Sequence, residues 1–267
     1  MIRTNARANP ETWASSIALI KERVDLKNAD VLDIGFGVGG FLLALAQQSK
    51  TVTGVDISLD IIKNMENRLK LHKINNTRLL HESAVDLPFE KSTFDLIILN
   101  GVLEYTAKGQ RGEPRETHIK VLRQIKRLLR PGGLFYLGIE NRYYLKFLLG
   151  HRDHYEMRFS NVLPRKLSKF ISKNILKNEV RNHIYSYNEY VELLGDAGFK
   201  DPVFFTGLPN YKTPEYLVPI ENIEAVREAI LKTKTTKLYK YVCYALAHSK
   251  YLYKKIGPDF IILSGVY

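Results

Sequence analysis

The fold of this chain is decided by residues 31–40, which read VLDIGFGVGG. Apolar residues around Asp33 predict a buried strand, and the glycines that follow predict a tight turn before a helix. Glycine lets a ligand approach the backbone closely, and amides at a helix N-terminus favour negative charge. Two nucleotide-binding patterns fit the turn, GxGxxG beginning at Gly35 and DxGxGxG beginning at Asp33. Because both fit, the turn alone does not decide its ligand.

The composition is typical of a folded globular protein, since 45% of the 267 residues are hydrophobic and 25% are charged. This length suits one domain with a large insertion or two small domains. No run of about 18 apolar residues occurs, and the N-terminus lacks the apolar region of a secretory signal. The single cysteine, Cys243, excludes an internal disulfide. We therefore expect a cytoplasmic protein.

The net charge of +12 is concentrated in two segments. Residues 141–181 hold 10 Lys and Arg against 3 Asp and Glu, and residues 231–255 hold 7 Lys and no acidic residue. Such an excess indicates an anionic partner, which can be a phosphate, a nucleic acid or an acidic membrane surface. A solvated, lysine-rich surface explains the same counts equally well.

Apolar periodicity predicts strands and helices in alternation along most of the chain. The predicted strands cover residues 30–34, 51–56, 77–82, 94–99, 134–139, 202–206 and 260–266, and the predicted helices cover residues 11–25, 41–48, 59–72, 118–129 and 187–197. This alternation is typical of an α/β protein with a parallel sheet between two layers of helices.

The alternation breaks twice, in segments that are rich in aromatic and basic residues. The chain therefore divides into an N-terminal helical segment, an interrupted α/β core and two insertions that we expect to form a substrate cap. These parts cover, in that order, residues 1–29; residues 30–140, 186–207 and 257–267; and residues 141–185 and 208–256.

Four features separate the two patterns that fit the glycine turn. Asp33 would repel the pyrophosphate of a dinucleotide, whereas it would attract a cationic amino-acid moiety. The other three are sequence segments. They are a Leu-Pro-Phe turn joined to an apolar strand in residues 82–105, a basic helix with a Pro-Gly-Gly stop in residues 122–141, and a helix ending in Ala-Gly-Phe in residues 187–205.

Together these features resemble the class I S-adenosylmethionine-dependent methyltransferases over about residues 31–205, and the last predicted strand also fits that family. The resemblance implies S-adenosylmethionine as the cofactor. It also implies an α/β fold with a doubly wound, seven-stranded sheet in the order 3-2-1-4-5-7-6, whose last strand is antiparallel.

The resemblance further implies which residues bind the cofactor. They are Asp33, Gly35, Gly37 and Gly39 for the methionine part, Asp56 for the ribose hydroxyls, Ile57, Ser83 and Ala84 for the adenine, and Asn100 for the methionine end. The chain departs from the family at Ser83, because many relatives have an aspartate there that receives the adenine amino group.

The acceptor side of the site is less well defined by the sequence. Many relatives have Leu-Glu-His after the fourth strand, whereas this chain has Leu103-Glu104-Tyr105, so a histidine is missing there. We expect the first insertion to supply bases, aromatic faces and arginine forks for phosphate. The candidate catalytic residues are Glu140, His151, Asp153 and His154, and the candidate substrate-binding residues are Tyr105, Asn141, Arg142, Tyr143 and Arg152. The His-x-x-His spacing falls short of a full ligand set, so no metal is predicted.

A narrower resemblance concerns the acceptor. Residues 139–165 and residues 207–220 look like methyltransferases encoded with bacterial surface-polysaccharide genes. This resemblance implies a sugar, a nucleotide-sugar or a glycan end as the acceptor. The arginines and aromatic residues of the first insertion would also suit a sugar phosphate. We therefore expect a small-molecule or glycan acceptor that is anionic and is methylated at oxygen.

Three other functions stay open at this point: an RNA methyltransferase, an NAD-dependent oxidoreductase and a non-catalytic module that binds the cofactor. Nucleic acid is not the favoured partner, because no separate RNA-binding module is visible. The basic, tyrosine-rich residues 236–255 can lie on an anionic membrane at the inner face, or can form a packed helix with its lysines outward.

Overall fold

The computed structural model of the chain describes residues 6–151, 161–174 and 183–266. Its eight strands form one sheet in the order β3-β2-β1-β4-β5-β8-β6-β7. The strands are β1 (Asp30–Ile34), β2 (Thr51–Asp56), β3 (Thr77–His81), β4 (Phe94–Asn100), β5 (Leu129–Ile139), β6 (Val203–Leu208), β7 (Tyr216–Pro219) and β8 (Phe260–Gly265). The α/β class and the predicted order of the first seven strands are confirmed, with β8 taking the place of the predicted seventh.

The antiparallel strand pairs of the sheet all lie at one end of the strand order, from β5 onward. Strands β1 to β5 pair in parallel, whereas β8 runs antiparallel to both β5 and β6. The prediction of seven strands was wrong by one, because β7 adds an antiparallel edge strand beside β6. This strand has only four residues and ends in a proline, so its sequence carries little strand pattern.

Helices cover both faces of the sheet, as predicted. They are α1 (Ala14–Lys21), α2 (Gly40–Ala46), α3 (Leu59–Leu71), α4 (Pro114–Leu128), α5 (Leu145–Leu148), α6 (Arg165–Asn174), α7 (Tyr187–Asp196), α8 (Ile223–Lys232), α9 (Lys237–Leu246) and α10 (Lys250–Ile256). Ser58 caps α3 by accepting a hydrogen bond from the Ile61 amide, and Ser186 and Glu189 form a capping box on α7. The predicted helix over residues 11–25 is shorter, since a 3-10 turn, Pro10–Trp13, precedes α1.

Two hydrophobic clusters, one on each face, hold the sheet between its helices. One contains Ile17 of α1, Leu42 of α2 and Met65 of α3. The other contains residues of α4 and α7 together with Val226, Cys243 and Tyr253 from α8, α9 and α10. The second predicted insertion therefore contributes a large share of the main core, and its cysteine is buried in it.

The two insertions meet in a third, smaller cluster. Tyr144, Phe147 and Ile184 from the first insertion are buried there, and Tyr239 of α9 packs against them. The Tyr239 hydroxyl also donates a 2.6 Å hydrogen bond to the carbonyl of Pro209. None of the helices described here is long and apolar enough to cross a membrane.

Candidate active site

The glycine turn joins β1 to α2 at the carboxyl edge of the parallel strands. Gly35, Gly37 and Gly39 have φ angles of 68°, 52° and 73°, which side-chain-bearing residues rarely adopt. A methyl group on Gly35 would also lie 2.5 Å from Cγ2 of Val102. The turn thus needs glycine for its backbone conformation at all three positions that the sequence singled out.

The fourth glycine of the stretch, Gly40, has a different reason to lack a side chain. A methyl group there would lie 2.0 Å from the backbone oxygen of Arg7. Trp13 stacks on Phe41 with ring centroids 4.5 Å apart, and its indole N–H donates to the same Arg7 oxygen. The N-terminal segment therefore packs directly on the glycine turn, a contact that the sequence did not predict.

Asp33 is buried beside this turn, and its Oδ2 has no hydrogen-bond partner among the described residues. Burial, together with the negative charge of nearby Asp56, raises the pKa of Asp33 to about 7. A buried carboxylate oxygen without a partner is unfavourable. An ammonium group bound in the turn would supply the missing donor and stabilise the ionised form.

Asp56 ends β2 and connects the turn to the next helix. Its Oδ2 accepts a 3.2 Å hydrogen bond from the Gly37 amide, and its Oδ1 accepts a 3.0 Å hydrogen bond from the Ser58 amide. These bonds hold the carboxylate at the carboxyl edge of the sheet, where an acid can bind two ribose hydroxyls.

A pocket of about 120 Å³ opens beside Asp56. The predicted adenine contacts Ile57, Ser83 and Ala84 line it together with Gly35 and Asp56. Ile57 is 73% exposed, so a large apolar side chain lies free beside the pocket. The sequence placed Tyr105 on the acceptor side, but it lines this pocket too, as do two residues that were not predicted, Lys108 and Gln110.

Asn100 ends β4, and its Oδ1 is buried without a hydrogen-bond partner within the part of the chain that the structure describes. Its neighbour across the sheet is Gly138 of β5, where a methyl group would lie 1.8 Å from that oxygen. Tyr211, from the loop after β6, packs against the same glycine. Tyr211 was not among the predicted site residues, although it lies within residues 207–220.

Glu140 follows β5 and is buried between two lysines. Both Lys146 Nζ and Lys212 Nζ lie 3.4 Å from its Oε1, and Lys146 also lies 3.7 Å from Oδ1 of Asp259. Burial alone would lower the pKa of Lys146, but Asp259 and Glu140 outweigh burial and raise it. Lys146 therefore stays protonated, and Glu140 is an ion-paired carboxylate. Another buried acid, Glu104, lies just after β4.

Arg142 is buried among fixed partners. Its Nε donates to the carbonyl of Asn161, its Nη2 to the carbonyl of Leu163, and its Nη1 to Glu189 at 3.0 Å. Arg165 of α6 reaches the same Glu189 oxygen at 2.9 Å. These bonds give Arg142 a structural role, since they tie the first insertion to α7.

Two other predicted acceptor contacts lie close to Arg142. The Asn141 side-chain amide donates to the carbonyls of Lys255 and Gly257, which ties β5 to the end of α10. Tyr143 is half-buried, and the centroid of its ring lies 4.9 Å from the guanidinium carbon of Arg142.

The structure describes only one of the three remaining predicted catalytic residues, His151. His151 is exposed, and its amide bonds the Lys146 carbonyl. Arg152, Asp153 and His154 lie outside the described residues. No group of three potential metal ligands occurs within residues 6–151, 161–174 and 183–266.

Comparisons with known proteins agree with this site. Residues 32–137 match the methyltransferase domain family. A demethylmenaquinone methyltransferase of Bacillus pumilus is 26% identical over 189 residues, which cover 68% of this chain and 76% of that protein. A chondramide synthase of Chondromyces crocatus is 29% identical over 79% of this chain, although the match spans only 5% of that much longer protein.

A solved structure shares the fold. A Haemonchus contortus phosphoethanolamine N-methyltransferase, in complex with phosphomonomethylethanolamine and S-adenosylhomocysteine, aligns with a TM-score of 0.55 at 19% identity. The alignment covers 95% of this chain and 52% of that one.

The residues around the turn fit S-adenosylmethionine, the cofactor of this domain. The unpartnered oxygen of Asp33 suits an ammonium group, the carboxylate of Asp56 suits ribose, and Ile57 offers an apolar surface for adenine. The turn's positive φ angles leave its backbone open to close approach by the methionine part.

Proposed function

We propose that this S-adenosylmethionine-dependent methyltransferase transfers a methyl group to a hydroxyl of an anionic sugar, nucleotide-sugar or sugar phosphate. The observation that carries the proposal is the pair of lysines, Lys146 and Lys212, gathered over Glu140 at the carboxyl end of β5. This position lies beyond β4, on the side of the sheet away from the adenine pocket.

The bound cofactor supplies an activated methyl group, so the protein mainly aligns the acceptor with it. Asp33 and the glycine turn hold the amino-acid end, Asp56 holds the ribose, and Asn100 stands between the cofactor and acceptor sides. An acceptor hydroxyl must also lose its proton, and Glu104 and Glu140 are two buried acids that follow β4 and β5 at this edge. Glu140 is the predicted base.

The lysines add to the arginines that the sequence suggested for an anionic acceptor, of which Arg142 is bound to other partners. Arg142 uses its donors on Asn161, Leu163 and Glu189, whereas Lys146 and Lys212 each keep about a third of their side chain exposed. A phosphate could take a place beside Glu140 as a further partner of both ammonium groups.

The relatives define the competing acceptors. The Bacillus pumilus relative is a demethylmenaquinone methyltransferase, and the solved nematode structure holds a phosphorylated amine. A quinone precursor would use no lysine pair, and a phosphorylated amine would be methylated at nitrogen. The narrower resemblance to enzymes of surface-polysaccharide synthesis favours the sugar among these three.

The experiment is transfer of labelled methyl groups into a panel of nucleotide-sugars, sugar phosphates, phosphoethanolamine and demethylmenaquinone, read by mass spectrometry. We expect an O-methylated, phosphate-bearing sugar. Lys212→Gln should raise the acceptor KM about tenfold, the scale of one charged hydrogen bond. Lys200→Gln, on an exposed lysine, is the matched control. Methylation of only the quinone precursor or the amine would refute the proposal.

We also propose peripheral contact of residues 236–255 with an anionic membrane. Leu238, Tyr241 and Tyr251 are more than 70% exposed on α9 and α10, among lysines. The opposite side of these helices is packed in the core through Cys243 and Tyr253. Packed helices with a basic, partly apolar outer side combine the two alternatives that the sequence left open.

A further inference from the structure

Three glycines at the ends of β4, β5 and β6 make room for Tyr211. A methyl group on Gly101 would lie 2.8 Å from its hydroxyl oxygen, and one on Gly138 would lie 3.0 Å from Cδ2 of its ring. One on Gly207 would lie 3.1 Å from its Cα. Since Gly101 and Gly138 make room for the side chain and Gly207 makes room for the backbone of the same residue, the sheet determines the position of the Tyr211 hydroxyl.

That hydroxyl is buried, yet it has no hydrogen-bond partner in the described part of the chain. Buried tyrosine hydroxyls elsewhere in the fold do have one. Tyr136 pairs with Ser16 at 3.1 Å, and Tyr253 pairs with Thr206 at 3.0 Å. An unpaired buried hydroxyl is costly, so a tyrosine in place of a phenylalanine here calls for a function.

The surroundings of Tyr211 define what it can bind. Burial first, and then the negative charges of Glu104, Glu140 and Asp259, raise its pKa well above the ordinary value. The hydroxyl therefore stays protonated and available as a hydrogen-bond donor. The same negative charges favour a ligand with donors of its own and disfavour an anionic group at this depth.

A second unpartnered oxygen lies close by. It is Oδ1 of Asn100, which shares with the ring of Tyr211 the space that a side chain on Gly138 would occupy. One oxygen can only accept, and the other can donate and accept. The Lys212 ammonium lies 5.2 Å from the centre of the Tyr211 ring, so a partly exposed cation lies over the ring of the same side chain.

We propose that the Tyr211 hydroxyl and Asn100 Oδ1 form a binding site for neighbouring hydroxyls of the methyl acceptor. This assigns Asn100 Oδ1 to the acceptor, whereas the family resemblance implied a contact with the methionine end of the cofactor. One acceptor hydroxyl accepts from Tyr211, and another donates to Asn100. The anionic group of the same molecule then points outward to Lys212 and Lys146. The inference rests on the proposed function, because it takes the bound molecule to be the methyl acceptor, and it adds the acceptor's orientation.

The location favours the acceptor over the cofactor. The adenine and ribose contacts lie at the ends of β1 and β2, with Asp56 among them. Tyr211 lies at the ends of β4, β5 and β6, which are one, two and four places beyond β1 in the sheet order.

The test compares Tyr211→Phe with Tyr253→Phe, which removes a buried hydroxyl that has a partner. We expect the melting temperature without ligands to stay level or rise for Tyr211→Phe and to fall for Tyr253→Phe. Affinity for S-adenosylhomocysteine should stay within about twofold for Tyr211→Phe. A fall in its melting temperature like that of Tyr253→Phe would show a structural hydroxyl, and lost S-adenosylhomocysteine affinity would show a cofactor contact. Either result overturns the proposal.

The binding arm uses two probes in the presence of S-adenosylhomocysteine: glucose 1-phosphate, and cyclohexyl phosphate, which keeps the ring and the anion but has no hydroxyls. Wild-type protein should prefer glucose 1-phosphate about tenfold, and Tyr211→Phe should abolish the preference. Equal binding of both probes, no binding of either, or a preference that survives in Tyr211→Phe overturns the proposal. The panel of methyl acceptors tests the proposed function separately, since it can fail while this preference remains. For an acceptor identified there, Tyr211→Phe should raise KM more than it lowers kcat.

Discussion

The backbone amide of Gly37 donates a 3.2 Å hydrogen bond to Oδ2 of Asp56, which joins the turn after β1 to the end of β2. Two segments that the sequence linked only through a shared ligand are thus in direct contact. The acid that should bind ribose also holds the turn that should bind the methionine part. A change at either residue is therefore expected to affect both ends of the cofactor.

Asp56→Ala should weaken cofactor binding by about 1–3 kcal/mol, the range for hydrogen bonds to charged groups. Calorimetry with S-adenosylhomocysteine measures the effect. Asp60→Ala is the control, because Asp60 lies on the first turn of α3, the helix that follows Asp56, and makes no hydrogen bond to the described glycine turn. An unchanged affinity in a folded Asp56 variant would refute the ribose assignment.

The pKa of Asp33 predicts a pH dependence of cofactor binding. The carboxyl is half-protonated at about pH 7, and only its ionised form attracts a cation. Affinity for S-adenosylmethionine should therefore rise from about pH 5.5 to about pH 7.5, and Asp33→Asn should flatten the profile.

The same pKa has the opposite effect on stability without ligands. The folded chain holds this proton more tightly than the unfolded chain, so the contribution of Asp33 to stability is present below about pH 4 and is lost as the pH rises through 7. Asp33→Asn should therefore stabilise the ligand-free protein at pH 8, where wild-type Asp33 is ionised and buried. Urea unfolding at two pH values measures the difference.

Gly35→Ala should damage the turn in two ways, through its positive φ angle and through the contact with Val102. Gly132→Ala has a φ angle of 79° but nothing within 4 Å of the added carbon. The pair therefore separates backbone strain from crowding. We expect Gly132→Ala to cost about 1 kcal/mol of stability and Gly35→Ala to cost more and to abolish S-adenosylhomocysteine binding. Equal melting temperatures for the two variants would contradict the crowding argument.

Glu189→Gln should loosen the first insertion, since it leaves Arg142 and Arg165 without their shared carboxylate. Burial would raise the pKa of Glu189, but hydrogen bonds from the Ser186 amide and Arg165 lower it. Its contribution to stability is therefore present above about pH 4.5 and is lost below. Thermal unfolding at neutral pH should show a loss of about 1–3 kcal/mol, and Glu192→Gln, on the exposed side of α7, should show almost none.

Membrane contact is tested with vesicles of phosphatidylglycerol and phosphatidylcholine. Wild-type protein should sediment with anionic vesicles at low salt, and a Leu238→Glu, Tyr241→Glu variant should remain in the supernatant. Leu71→Glu changes an equally exposed apolar residue on α3 and should sediment like wild type. Sedimentation that does not depend on the charge of the lipid, or on Leu238 and Tyr241, would contradict the proposal.

The glycine turn could be predicted from the sequence because its determinants are local. Asp33 and the glycines sit within one turn, and positive φ angles leave a direct mark on residue choice. Asp56, at the end of the next strand, follows from the sheet topology.

The proposed acceptor side could not be predicted in the same way, because its parts meet only through long-range packing. Tyr211 comes from the loop after β6, Lys146 from α5 and Asp259 from the residue before β8. Arg142 is the opposite case, in which the residue type suggests a ligand contact and the fold supplies partners from the protein itself. Its residue type suits phosphate, but only the fold reveals that its nitrogens already have partners.

The strand order has a consequence for how the chain assembles. Because β8 lies between β5 and β6, residues 260–265 must arrive before β6 and β7 can join the rest of the sheet. Contacts so distant in sequence close slowly, and β5 is an unprotected edge until they form. A chain cut before Phe260 should therefore divide into a preformed half around β1 to β5 and an undocked half, and the first should aggregate through β5.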